Sequence, residues 1–126
     1  MSDNKTCVHF CRTRSNAARG ASHLGSVGAA DMIRAGLCDI LASDYYYPSM
    51  LNAVARLRAD HVGPVTALWP LVSGNPAAAL GLTDRGHIAP GLRADLVLVD
   101  WPADEVPVMR QTWVAGRCAY SATPLG

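Results

Sequence analysis

The sequence predicts an α/β chain in which helices and a single strand edge come first and hairpin strands come last. Three observations predict it. A short apolar run of strand length, Cys38 to Ala42, stands between two helical patterns and ends on Ser43-Asp44. Apolar residues then recur at near-helical spacing at Met50, Leu51, Val54, Ala55 and Leu57. Finally, Ala94 to Asp100 is a β-branched run that follows the turn residues Pro90-Gly91.

Met1 to Asn16 is polar, mixed and without a clear period, so residues 1–16 read as a poorly ordered or divergent segment that folding does not need. Gly20 to Gly25 is a glycine-punctuated turn. Ser26 or Asp31 then caps a helix whose apolar stripe is Ala29, Met32, Ile33 and Leu37, ending at Gly36. Pro48 opens the second helix, which breaks at Gly63-Pro64. Val65 to Val72 is apolar enough for a buried third helix, and Asn75-Pro76 opens a short fourth one that Gly81 closes. After Gly86 the pattern turns to strands, with Val106 to Val114 alternating loosely toward a turn at Ala115-Gly116. Between Gly20 and Gly63 only one strand is supported, and one strand cannot pair its own backbone groups, so it needs neighbours.

Composition narrows the function classes. The chain has 126 residues, half of them hydrophobic, which suffices for a modest core in one domain. Eleven basic against ten acidic residues give a formal charge of +1, with no broad field for nucleic acid. No apolar run reaches the roughly 18 residues of a membrane span, and the polar start Met1 to Lys5 leads into no signal segment, so a cytoplasmic protein is expected. Cys7, Cys11, Cys38 and Cys118 follow no framework spacing and are expected as thiols.

Asp44 is the first chemical candidate. A carboxylate at the C-terminal end of a parallel strand lies where α/β folds place their active sites, and there it binds a metal or takes a proton from metal-bound water. An aspartate after a strand equally serves as a cap. His23, after Ser22 in the glycine-flanked turn, can present an imidazole to a phosphate or metal, or simply be solvated. Arg12, Arg14 and Arg19 suit phosphate oxygens, or keep a polar segment soluble. Tyr45, Tyr46 and Tyr47 offer flat faces to a substrate ring, or pack at the strand end. Cys7, His9 and Cys11 are one ligand short of tetrahedral zinc and lack finger spacing. There is no GxxxxGK loop, no G-x-S-x-G elbow and no H-E-x-x-H pair.

Ser73-Gly-Asn-Pro-Ala-Ala-Ala-Leu-Gly-Leu82, followed by Asp84-Arg-Gly-His-Ile-Ala-Pro-Gly-Leu-Arg-Ala-Asp-Leu-Val-Leu-Val-Asp100, resembles the C-terminal signature of the amidohydrolase superfamily, and Trp113 to Arg117 resembles its closing strand. The resemblance implies residues 17–82 as the last strand–helix units of a (β/α)8 barrel and 83–126 as a β-sandwich portion. Upstream, Arg19-Gly-Ala-Ser-His-Leu-Gly25, Ala35 to Tyr45 and Pro48 to Leu51 are similar to the alpha-D-ribose 1-methylphosphonate 5-triphosphate diphosphatases of phosphonate metabolism. These are taken to hydrolyse a ribose triphosphate phosphonate to the 5-phosphate and pyrophosphate. By that resemblance Asp44 is the metal-side, proton-accepting carboxylate after the eighth strand, and Ser22, His23, Tyr45 and Arg19 are substrate contacts.

The same resemblance implies a divalent metal, zinc or similar, in the full-length family, and a small-molecule substrate with no nucleic acid or membrane partner. Ser26 departs from the family's asparagine, and the histidines and bridging residue of the earlier strands have no counterpart, since His9, His61 and His87 are not placed to replace them. Three protein ligands are usual for a catalytic zinc, so the chain is expected to be inactive alone, either a truncated product or a piece completed by another barrel chain. The alternatives are a non-catalytic domain that dimerises or binds a partner, and the tail of a dihydroorotase-like or deacetylase-like amidohydrolase.

Overall fold

The computed structural model describes residues 28–42, 49–103 and 105–123. The segment 1–16, the turn Gly20 to Gly25, Ser26 and Pro48 lie outside the described residues.

Helix α1 (Ala29–Arg34) starts from Gly28, whose extended φ of −67° and ψ of 156° mark the cap without any side-chain bond. Asp31 is therefore not the cap. It lies in the first turn, where a carboxylate suits the positive end of the helix, and pairs with Arg34 at 3.4 Å. Met32 and Ile33 pack against the core, but Leu37 is 49% exposed. It follows the reversal at Gly36 (φ 68°), so it no longer lies on the helical stripe that its spacing suggests.

Helix α2 (Ser49–Ala59) buries Ala53, Val54 and Leu57. Its end is not the Gly63-Pro64 break. Val62 N–H bonds to the Leu57 carbonyl at 3.0 Å and His61 N–H to that of Arg58 at 3.0 Å, a Schellman closure with His61 at φ 55°. Gly81 (φ 71°) ends α4 through the same pair of bonds, from Leu82 to Ala77 and from Gly81 to Ala78. Between them, α3 (Val65–Leu68) runs into a 3₁₀ turn at Trp69–Leu71, and α4 (Gly74–Ala79) follows. Pro64 and Pro70 stand at the starts of the first two, where a missing N–H removes no helical bond.

Cys38 to Ala42, expected as a strand, carries neither strand nor helix. Among the described residues no strand lies beside it, and a strand is defined by its pairing with a neighbour. The segment is nonetheless buried, with Cys38 and Leu41 joining Ala53, Val54, Leu57, Leu68 and Leu71 in the core.

Strands β1 (Leu96–Asp100), β2 (Val108–Val114) and β3 (Arg117–Ser121) form an antiparallel sheet in that order. Val114 pairs with Arg117 across a two-residue turn, Ala115 (φ 49°) and Gly116 (φ 77°), whose left-handed backbone matches the twist of a hairpin. The fold shown is thus short helices followed by one small antiparallel sheet. Neighbouring side chains on a strand face opposite ways, and Val97 and Leu98 are 43% and 55% exposed, so neither face of β1 is sealed. The link to the helices runs through Trp101, which packs on the core and lies under the Arg58 guanidinium at 5.2 Å.

Leu68 is 2% exposed within the core, so Leu68→Ala should cost about 2–5 kcal/mol in urea unfolding. His61→Gly should instead raise stability by about 1 kcal/mol, because glycine adopts the left-handed cap without the Cβ penalty.

Candidate functional site

Asp44, Ser22, His23, Tyr45 and Arg19, the residues singled out for chemistry, all lie outside the described residues. The frame around them is described. Asp44 comes two positions after Ala42 in sequence, and the five residues up to Ala42 are held from one side. Leu41 N–H donates to the Leu71 carbonyl at 2.8 Å, at the end of the 3₁₀ turn. The Asn75 side-chain amide donates to the Asp39 carbonyl at 2.7 Å, from the first turn of α4. Sequence reading assigned Asn75 only to a helix start. The signal for more was its amide, since a helix opening at Asn-Pro needs neither donor of that side chain for its own bonds.

The segment after α4 is fixed to it by close approach. A Cβ at Gly86 would stand 2.7 Å from Ala77 Cβ and 3.2 Å from Gly74 Cα, at a φ of 104°, so only glycine fits. Beside it Arg85 grips Asp84 with two bonds of 2.8 and 2.9 Å and also faces Asp95 at 3.5 Å. Asp95 in turn receives Arg93 at 2.8 Å and the Ala115 N–H at 2.8 Å, which ties the loop to the β2–β3 turn. The bond from Ala115, then that from Arg93, holds the Asp95 carboxyl below its ordinary range, and Arg85 does the same for Asp84. Arg85 is raised by the Asp84 bond, so the network stays charged.

An open hollow of about 380 Å³ lies between α4 and this loop, lined by Gly74, Ala78, Leu82, Thr83, Arg85 and His87. His61 is a helix cap and His87 a wall of the hollow, so neither approaches the Cys38 to Ala42 segment through any bond given above. Cys38 is buried and Cys118 half-buried, and Cys7, His9 and Cys11 lie outside the described residues. Among the described residues no three His, Cys, Asp or Glu side chains gather as a metal would require. The described residues therefore do not form a metal site by themselves.

Comparison with known proteins adds what geometry alone does not. The model of the family described as "Amidohydrolase family" matches residues 15–120. The alpha-D-ribose 1-methylphosphonate 5-triphosphate diphosphatase of Escherichia coli is 49% identical over 107 residues, covering 83% of this chain and 28% of the relative. An imidazolonepropionase of Salinispora arenicola is 35% identical over 66% of this chain and 24% of its own length. An adenine deaminase of Desulfatibacillum aliphaticivorans is 54% identical, over 36% of this chain and 8% of its own length. The chain therefore spans about a quarter, or less, of the relatives it matches. No solved structure matches.

The charged loop makes a pH prediction. Asp84 and Asp95 have lowered folded pKa values, so their contribution to stability is complete above the ordinary carboxylate pKa and is lost as pH falls through the folded values. Asp95→Asn keeps an oxygen for the Ala115 N–H but removes the charge. Its melting temperature should fall less steeply than that of the parent below roughly pH 5, and parallel curves would contradict the role given to that carboxylate.

Proposed function

We propose a function for this chain that starts from its family: it belongs to the amidohydrolase family, and it supplies the C-terminal part of a metal-dependent hydrolase of phosphonate metabolism. The reaction is attack of water on the triphosphate of a ribose 5-triphosphate 1-phosphonate. One phosphoanhydride bond breaks, pyrophosphate leaves, and the ribose 5-phosphate remains. The observation that carries the reading is the extent of the match to the diphosphatase, 49% identity over 83% of the chain. A match of that extent in a chain of 126 residues necessarily includes Gly25 to Leu51, where Asp44 and Tyr45 lie.

In this reading Asp44 is the carboxylate that accepts the proton of the attacking water and stands on the metal side of the site. Ser22, His23, Arg19 and Tyr45 contact the substrate, the arginine and histidine toward its phosphates and the tyrosine toward the sugar. A divalent metal held in part by Asp44 would supply positive charge to acidify water and to offset charge on the phosphate oxygens. The match covers 28% of the diphosphatase, and in this reading further ligands come from earlier barrel strands of the kind that the remainder of such a protein carries.

The sheet supports the same reading. β1 is apolar at Leu96, Val97, Leu98 and Val99, the pattern of a strand meant to be covered on both faces, whereas β3 carries Arg117 and Ser121 as an edge strand does. The imidazolonepropionase and adenine deaminase likenesses favour a second reading, a hydrolase of the same family acting on another substrate, but they cover less of the chain.

The test is hydrolysis of a ribose 5-triphosphate 1-phosphonate by the chain alone and by the chain together with the missing barrel half. Pyrophosphate release is expected only from the mixture. Adenine deamination in place of pyrophosphate release would favour the second reading. In the active mixture Asp44→Asn should lower kcat by roughly 100-fold or more while leaving the melting temperature of the chain within about a degree. Retained turnover would remove Asp44 from the role assigned to it.

A further inference from the structure

We propose that the outer edge of strand β1 is the surface through which two copies of this chain pair, antiparallel about a two-fold axis at Leu98.

The described sheet has two edges, and they are built differently. Strand order is β1-β2-β3, so within this sheet β1 and β3 each have a partner on one side only. Alternate peptide groups of an edge strand point away from its partner and stay open to a further strand, and proteins blunt such edges with charges and bulges. β3 is blunted in both ways. Arg117 opens it, and its pairing steps from Cys118 with Trp113 to Tyr120 with Thr112, so Ala119 is an extra residue that bulges the strand. β1 has neither device. In its pairing, Leu98 with Gln111 is followed by Val99 with Met109, so the extra residue there is Arg110 of β2. No charge occurs from Leu96 to Val99, and Asp100 is already taken by Arg110 at 2.8 Å. Leu96, Val97 and Leu98 are exposed, as are Val108 and Val114 on the neighbouring strand, so this edge carries apolar side chains on both faces of the sheet.

The chemistry of the edge decides what it selects. Four uncharged residues in a row hold nothing to attract an acidic or basic partner; they fit another regular, apolar strand, and β1 is itself one. Symmetry makes the fit concrete. Leu98 is the middle residue of β1, so an axis there pairs the whole strand with its copy. Val97 then lies opposite Val99 of the second copy and Leu96 opposite Asp100 of the second copy, so no two carboxylates face each other across the strands. The chain as a whole carries eleven basic and ten acidic residues, so two copies meet without a net field that holds them apart. One five-residue edge makes a small interface, which places the pair in the weak class, with a Kd on the order of 10–100 μM. The sheet alone carries this pairing, whatever reaction the chain takes part in.

Sedimentation velocity on the full chain over about 1–500 μM tests it. A shift from monomer to dimer across that range is expected, with the Kd changed less than about threefold between low and high salt, because no ion pair forms the contact. Amide exchange should slow at Leu96 to Asp100 as the concentration rises, and not at Arg117 to Ser121. Leu98→Lys and Leu98→Glu should each weaken the dimer at least roughly 10-fold, and at an exposed position each should keep the cooperative melting of the parent. Mixed together, the two variants should pair more tightly than either alone, since the axis brings position 98 against itself. Tyr120→Lys, on the β3 edge, should leave the Kd within about twofold. A chain that stays monomeric throughout overturns the proposal, as does a dimer that ignores Leu98→Lys or slows exchange at Arg117 to Ser121 instead. Charge variants that pair no better mixed than apart overturn the axis at Leu98. A chain that is monomeric by itself, but whose Leu98→Lys variant no longer joins a polypeptide carrying the earlier barrel strands, gives the edge to that polypeptide and overturns the second copy as its occupant.

Discussion

The arrangement of the helical half depends on one constraint: the segment Cys38 to Ala42 is buried, and among the described residues it is met by bonds from the 3₁₀ turn and α4 rather than by a strand. A peptide group in an apolar core costs about 1–3 kcal/mol if it is left without a partner. The protein meets that cost by bringing the end of the 3₁₀ turn and the start of α4 against the segment. Leu71 supplies a carbonyl and Asn75 an amide. The short pieces from Val65 to Ala79 then make sense as one angular strap. Pro64, Pro70 and Pro76 fix where its pieces begin or bend, and Leu68 and Leu71 turn its apolar side to α2. A single long helix could not offer both a side-chain donor and a main-chain acceptor to a segment crossing it.

What was legible in the sequence follows from what is local. Helix α2 was readable because its apolar spacing is repeated over several turns, and the ends at Gly36 and Gly81 because glycine advertises a left-handed cap. The cap at His61 uses the same bonds with a residue that gives no such sign, which is why the break was read at Gly63-Pro64 instead. Leu37 fits the helical period but comes after the reversal, and period cannot report where a helix stops. The hairpin turn was readable in Ala115-Gly116, whereas the irregularity between Leu98 and Val99 has no local mark. For the segment at Cys38, apolar length suggests a strand, but a strand is a relation to a neighbour, and local sequence cannot report one.

The candidate site was legible in a different way. Asp44, Ser22, His23, Tyr45 and Arg19 were reached through motif resemblance, and they lie outside the described residues, so their roles stand as proposals. The residues that geometry brought forward, Asn75 above all, sit inside the same motifs but were hidden by them. In Asn-Pro-Ala the proline and alanines explain a helix start so well that the amide needs no further reason, until its partner 36 residues upstream is seen.

The tail signature is largely architectural. Gly86 is required by contact with Ala77 and Gly74, and Asp95 by the Ala115 N–H and Arg93, so these residues record how the β-return closes on the helices. Reaction type leaves no trace in such contacts. Likeness confined to the tail therefore says little about substrate, and it is consistent with this that proteins named for a diphosphatase, an imidazolonepropionase and an adenine deaminase all match the chain. Discrimination among them has to come from residues that face a substrate, and in this chain the candidates are upstream, from Arg19 to Tyr45. The diphosphatase match, 49% identical over its whole length, extends across most of that stretch, which is the ground for preferring it.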